Sequence, residues 1–248
     1  MGEMDLSGRT AVITGASRGI GADIARVCAA RGMHLGLCAR SEPVLADRPQ
    51  VVAQRVDMID EAGVEAFAKQ VEERFGAIDL WINNAGILSP IAKLRDVDVA
   101  DFRAHIDINL TGVFIGTRTY IRHRRAHGGG GVLINISSGA AWNAYAGWGA
   151  YCAGKAGVAL LSEVAAVEEA ESGLRVHAVA PGVVDTDMQA MIRDCSPDRF
   201  PDVQQFLDMK RDGAFNSGEY VGRELLAIAF DPECRITEVN HRLEYEQD

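Results

Sequence analysis

The chain has 248 residues, 48% of them hydrophobic and 24% charged, with 26 glycines; this excludes a disordered protein and supplies enough apolar material for a large buried sheet. Its formal net charge of −10, from 35 acidic and 25 basic side chains, repels a phosphate backbone and argues against nucleic acid as a partner. The cysteines Cys28, Cys38, Cys152, Cys195 and Cys234 are odd in number and show no metal-ligand pairing, so reduced thiols, no metal and a cytoplasmic setting are expected.

The opening "MGEMDLSGRT" has no apolar core of signal-peptide length, and no later segment reads as a run fit to cross a bilayer, so no membrane partner is expected. From Thr10 onward short apolar runs alternate with longer segments of helical period. "TAVIT", "HLGLCA", "VVAQRVD", "DLWIN", "GVLINIS" and "RVHAVAP" read as buried parallel strands, being continuous in aliphatic residues rather than alternating. "GIGADIARVCAARG", "EAGVEAFAKQVEERFG", the long "DVADFRAHIDINLTGVFIGTRTYIRHRRAHG" and "GAYCAGKAGVALLSEVAAVEEAESG" read as helices, most closed by glycine. The cations of "RHRRAHGGGG" suit a helix C-terminus rather than a binding patch. This order predicts an α/β fold: one doubly wound, Rossmann-type domain over residues 1–248, its parallel sheet flanked by helices on both faces. Residues 185–217 break the rhythm with prolines, Met188, Met191, Phe206 and mixed charge. Following a strand's carboxyl end, they form a candidate substrate lid.

Directly after the first strand comes "TGASRGIG", with Gly15, Gly19 and Gly21 and, between them, Ser17, Arg18 and Ile20. Glycines there allow a tight turn and close approach of backbone to a pyrophosphate, and the following helix offers free N–H groups and a positive dipole. A dinucleotide site of NAD type places an acidic residue near the end of the second strand; here "LCARS" places Arg40. A guanidinium at that point pairs with a 2′-phosphate, and Arg18 adds a second cation, which favours NADP(H). Glu42 leaves NAD(H) open. Further on, "YCAGK" sets Tyr151 and Lys155 four apart, on one helical face. Alone the pair reads as two helix neighbours.

The T-G-x-x-x-G-x-G turn resembles that of the short-chain dehydrogenase/reductase family, and the resemblance continues over nearly the whole chain. It implies that Asp57 binds the adenine amino group, that Asn83, Ala85 and Gly86 of "NNAG" shape the adenine side and steady the sheet, and that Asn109 of "INLTG" holds a relay water. It implies catalytic roles for Ser138 of "INISS", for Tyr151 and for Lys155, with Asn109 behind them. Tyr151 and Lys155 would also contact the cofactor. Pro181, Gly182 and Val183 of "PGVVDTDM" would flank the nicotinamide, and Thr186 would bind its carboxamide. Chemically, a phenol serves as proton donor to the alkoxide oxygen, and a neighbouring ammonium pulls its pKa down from near 10.

The loop "GAAWNAYAGWG" brings Trp142, Tyr145 and Trp148 toward the substrate side, and the lid offers Met188 and Met191, which together suggest an apolar pocket. The region from Val183 onward is similar to the sepiapterin reductase and benzil reductase group, which implies an NADPH-dependent reductase of α-dicarbonyl or aromatic ketones. A 3-oxoacyl thioester reductase, an NADP-dependent secondary-alcohol dehydrogenase and a non-catalytic dinucleotide-binding redox sensor are the alternatives. The partners expected are a small carbonyl substrate and further copies of the chain, as a homodimer or homotetramer. Two departures stand out: "SEPVLADRPQ" is too short for a crossover helix, and the tail lacks a glycine-rich approach to a final strand.

Overall fold

A parallel strand covered on both faces must be apolar throughout, and the central strands obey this: β1 (Thr10–Thr14), β2 (His34–Ala39), β4 (Leu80–Asn83), β5 (Val132–Ile136) and β6 (Arg175–Ala180) are buried along nearly their full lengths, whereas β3 (Val51–Arg55) is largely half-buried. The structure, a computed structural model, describes residues 4–234 and 236–247. Its seven strands form one parallel sheet in the order β3-β2-β1-β4-β5-β6-β7. This is a doubly wound α/β fold of Rossmann type. The chain reverses its direction of travel across the sheet between β1 and β4, which opens a crevice at their carboxyl ends.

Helices α1 (Gly19–Ala30) and α8 (Gly218–Phe230) pack together on one face. Gly222 allows this, since a Cβ there would lie 2.8 Å from Val27 Cγ2. Helices α2 (Glu61–Phe75), α3 (Val99–Ile106), α4 (Gly112–Ala126) and α5 (Gly149–Glu168) cover the other face. The segment read as one long helix is α3 and α4 joined by a turn of π type over Asp107–Thr111, a local widening of the kind found at functional positions. Helix α4 ends as its cations and glycines predict: Arg124 donates to the carbonyls of Gly129, Gly130 and Ile78, and Gly128, Gly129, Gly130 and Gly131 all have positive φ. Glu72, His123 and His127 meet beside this end. His123 Nε2 accepts from Ile78 N at 2.9 Å, so the proton sits on Nδ1, facing Glu72 at 3.3 Å. Both ring nitrogens of His123 are thereby used, as hydrogen-bonding groups rather than metal ligands.

Four expectations are corrected or completed. Among the described residues one helix, the 20-residue α5, is long and apolar enough to cross a bilayer, with a mean hydropathy of 1.3 over an 18-residue stretch; here Ala150, Tyr151, Gly154, Lys155, Val158 and Ser162 turn its inner face into the protein. The tail forms β7 (Asn240–Arg242), three residues in register with Ala178–Ala180 of β6. Between β2 and β3 the chain crosses in turns without a helix. The segment after β6 forms α6 (Asp187–Arg193) and α7 (Val203–Asp212), and Asp185 anchors it through ion pairs to Arg193 at 3.0 Å and Lys210 at 2.5 Å.

Candidate active site

The crevice is a cleft of about 550 Å³ that runs from Arg40 and Asp57 to Tyr145 and Phe206, within the size range of small-molecule sites. Its floor is the turn between β1 and α1. Gly15 and Gly19 have φ of +69° and +55°, the left-handed region that favours glycine. A Cβ on Gly15 would stand 2.8 Å from Ala85 Cα, and one on Gly21 would stand 2.5 Å from Gly15 O. Thr14 Oγ1 accepts from the N–H groups of Asn84 and Ala85 at 3.0 Å, and Asn84 Nδ2 donates to Thr14 O at 2.9 Å. The end of β4 thus clamps the turn. Arg18 sits at the N-cap of α1 without a capping bond, and the first turn holds no acidic residue. Main-chain N–H groups and positive dipole therefore face the cleft, a cradle for a pyrophosphate.

Ser17, Arg18, Gly19 and Ile20 all line the cleft, with Gly21 tucked beneath it. At the outer end, Arg40 and Asp57 lie along the wall, where Asp57 Oδ1 accepts from Ile59 N at 3.3 Å. Glu42 turns away to pair with Arg55 at 3.2 Å. Arg18 reaches across to Asp187 at the start of α6, 3.3 Å away.

At the inner end β5 delivers Ser138, whose Oγ accepts from Ala140 N at 3.2 Å. The first two turns of α5 bring Tyr151 and Lys155 to the same place, both buried. Lys155 Nζ donates to Ile136 O at 2.7 Å and lies 5.7 Å from the centre of the Tyr151 ring. Burial lowers the Lys155 pKa to about 8. Burial also raises Tyr151 above its ordinary value, against an opposing hydrogen bond with Ser138. The downward pull expected from the ammonium does not prevail, because desolvation dominates and Lys155 is directed at a carbonyl.

Asn109 lies behind this pair, in the π-type turn. Its Oδ1 accepts from Ile87 N at 2.8 Å, and its Nδ2 donates to Ile87 O at 2.7 Å and to His105 Nε2 at 2.8 Å. His105, fully buried, donates through Nδ1 to Ser89 O at 2.7 Å and stands edge-on to Tyr151, with ring centres 6.0 Å apart. Burial holds His105 below its ordinary pKa, consistent with the neutral ring these bonds require. The Asn109 side chain thereby straps α3 and α4 to the loop after β4.

Pro181, Gly182, Val183 and Thr186 line the middle of the cleft, as do Ala85 and Gly86. Tyr145, Trp148, Met188 and Met191 line its inner, aromatic end, where Trp148 stacks on Phe200 with centres 4.6 Å apart and meets Phe206 at 5.6 Å. Two candidates lie elsewhere. Trp142 is half exposed and outside the cleft lining. Asn83 points into the protein: its Oδ1 accepts from Trp81 Nε1 at 2.8 Å, and its Nδ2 donates to Asn135 Oδ1 at 2.8 Å. Strand alternation turns the neighbouring Asn84 to the cleft instead. Sequence reasoning also missed His105, Gln189 and Arg242. Only His105 carried a local signal, its spacing of four from Asn109 on a helical pattern.

Residues 9–196 match the family model described as short chain dehydrogenase. Among curated proteins, the benzil reductase ((S)-benzoin forming) of Bacillus cereus is 34% identical over 230 residues, covering 88% of this chain and 92% of its own. The enzyme of the same description from Bacillus subtilis is 30% identical, covering 88% and 91%. Among solved structures, levodione reductase superposes with a TM-score of 0.85 at 27% identity, covering 96% of each chain.

Two outcomes follow from this geometry. Asn83→Ala leaves the buried donor of Trp81 and the acceptor of Asn135 unpaired; it should cost about 2–3 kcal/mol in urea unfolding without changing the KM for a nicotinamide dinucleotide, and a large KM change would return Asn83 to the cofactor. A Lys155 that releases its proton near pH 8 when folded and near 10.5 when unfolded gains stability as pH rises between those values. Lys155→Met should therefore stabilise the fold most at pH 7, with the gain shrinking toward pH 10. A gain independent of pH, read from urea midpoints, would refute the buried charge.

Proposed function

The chain belongs to the short chain dehydrogenase family, and from that premise we propose that it is an NADPH-dependent carbonyl reductase acting on aromatic or α-dicarbonyl ketones. The observation that carries this reading is the convergence of Ser138, Tyr151 and Lys155 at the inner, aromatic end of a cleft whose outer end presents Arg40. The family fixes a nicotinamide dinucleotide as cofactor and oxidoreduction between an alcohol and a carbonyl as the chemistry. When bound, that cofactor supplies the hydride.

The glycine turn would hold its pyrophosphate, Asp57 its adenine, and Pro181, Gly182, Val183 and Thr186 its nicotinamide. The close approaches at Gly15 and Gly21 fit such a group. Arg40, with Glu42 engaged elsewhere by Arg55, supports a 2′-phosphate and hence NADP(H).

Ser138 would donate to the substrate carbonyl oxygen and orient it. Tyr151 would pass its proton to that oxygen as the alkoxide forms. A phenol whose pKa is raised by burial is protonated at neutral pH, which suits a donor in reduction better than a base in oxidation. Lys155, charged at neutral pH given its value of about 8, would stabilise the phenolate left behind. The aromatic wall of Tyr145, Trp148 and Phe206, with Met188 and Met191 above, supports a flat or aromatic substrate. The benzil reductases and the levodione reductase named above support a dicarbonyl. Residues 185–217 act as the lid in this reading. The free thiols support a cytoplasmic setting, and the exposed Leu160, Val164 and Val167 on α5 support a homo-oligomer.

With benzil as substrate, NADPH oxidation should exceed NADH oxidation. Tyr151→Phe should lower kcat by at least about a hundredfold while NADPH still binds; full turnover in that variant removes the proton donor from the reading. Arg40→Asp should move the NADPH to NADH ratio of kcat/KM toward NADH by at least about tenfold, and an unchanged ratio would deny Arg40 its phosphate.

A further inference from the structure

The cleft is also lined by Arg242, a cation for which the reduction described above has no use. Strand alternation fixes which way it faces. On β7, Asn240 donates to Glu163 of α5 at 2.5 Å, and Leu243 is buried in the core beneath α1 and α8. Arg242 shares the face of Asn240, on the side of α5, and stands toward the helix end that carries Tyr151. Its register partner is Ala180, the residue before Pro181. In the sheet order, β7 is at the opposite end from β2 and β3, which carry the outer wall with Arg40 and Asp57. Arg242 therefore lies beyond the nicotinamide side, where a substrate would extend.

The guanidinium has no carboxylate partner among the described residues. It lies 5.9 Å over the Tyr245 ring, with Nη2 3.5 Å from the Tyr245 hydroxyl. Acids of the segment after β6 and of the tail are engaged: Asp185 with Arg193 and Lys210, Asp187 with Arg18, Glu246 with Arg223. Glu244 is exposed and in no ion pair among the described residues. A second observation comes from the lid. Gln189 on α6 lines the same cleft, is 9% exposed, and its Oε1 has no hydrogen-bond partner. A buried acceptor without a donor is costly, and turning the amide over, which exchanges Oε1 and Nε2 without changing its shape, sets an N–H donor in that place instead.

We propose that Arg242 and Gln189 form a recognition subsite for a carboxylate on the substrate, so that this enzyme prefers carbonyl compounds carrying an acidic group over their neutral counterparts. This rests on the carbonyl reductase reading and narrows its substrate class. An unpaired guanidinium at the rim attracts the anion and binds it in a forked geometry, while the uncharged amide completes the contacts without adding a competing charge.

The test uses matched pairs that differ only in charge: phenylglyoxylate and its methyl ester, and 3-benzoylpropionate and its methyl ester, with benzil as a neutral reference, all at low ionic strength with saturating NADPH. The wild-type protein should favour at least one acid over its ester by about tenfold in kcat/KM, through KM. Added salt should shrink that preference. Arg242→Ala should bring the acid-to-ester ratio to about one, Arg242→Lys should retain part of it, and Gln189→Leu should reduce it through the KM of the acid. An ester preferred by the wild type, or a ratio unchanged in both Arg242→Ala and Gln189→Leu, overturns the subsite while benzil turnover leaves the reductase reading standing. So does a change in oligomeric state on Arg242→Ala that lowers acid and ester alike. Failure of the wild type to reduce benzil and all four probes removes the reductase reading itself, and the subsite with it.

Discussion

A single buried hydrogen bond, Asn83 Nδ2 to Asn135 Oδ1, sets the frame in which the rest of the site is placed. It joins β4 to β5 through side chains in addition to the main-chain ladder, and it is one link of a longer chain. Trp81 donates to Asn83, Asn83 also reaches Thr117 of α4, Asn135 donates to Ser162, and Ser162 donates to Val158 O within α5. Each of these groups is buried, so each bond is far costlier to lose than a surface contact. The polar chain holds α5 in one azimuth against β5. That azimuth decides where Tyr151 and Lys155 point.

The same economy governs the neighbouring elements. Asn84 clamps the phosphate turn, Asn109 straps the π-type turn to Ile87, and Asn216 closes the base of the segment after β6 by donating to Pro181 O. Three amides thus fix three pieces of irregular backbone around one cleft, Asn84 as a donor and Asn109 and Asn216 through both donor and acceptor ends. An amide suits this because it offers both kinds of group without a charge to desolvate.

These commitments also explain how far the sequence could be read. The strands were legible because burial on both faces leaves an unbroken aliphatic run, and the glycine turn because no other residue fits its geometry. Ser138, Tyr151 and Lys155 were picked out as a set only by the family resemblance, and folding brings them to one end of the cleft. Asn83 and Asn84 were not separable, since a strand's two-residue period turns adjacent identical residues to opposite sides and nothing in "NNAG" marks which is which. The role of Asn109 hinged on its partners, Ile87 and His105, which only folding assembles. Trp142 lies in a loop whose path no periodicity constrains. Helix α5 was legible as a helix, yet its apolar character answers both to the core and to the exposed stripe of Leu160, Val164 and Val167. A strand of three residues such as β7 leaves no pattern at all, so Arg242 was invisible until its neighbours were in place.

The closure made by Asn216 reaches past this one protein. Its main-chain N–H bonds Val183 O at 2.8 Å while its side chain bonds Pro181 O at 2.9 Å, so the segment carrying α6 and α7 leaves and rejoins the sheet at nearly the same point. A loop whose ends already meet can lengthen, shorten or be exchanged at small entropic cost, and the strands beneath it keep their order. The segment that lines one side of the cleft is thereby mechanically separable from the strands and helices that carry Ser138, Tyr151 and Lys155. Heritable change can act on the first as a cassette, which lets new specificities be sampled while the reaction they serve stays intact.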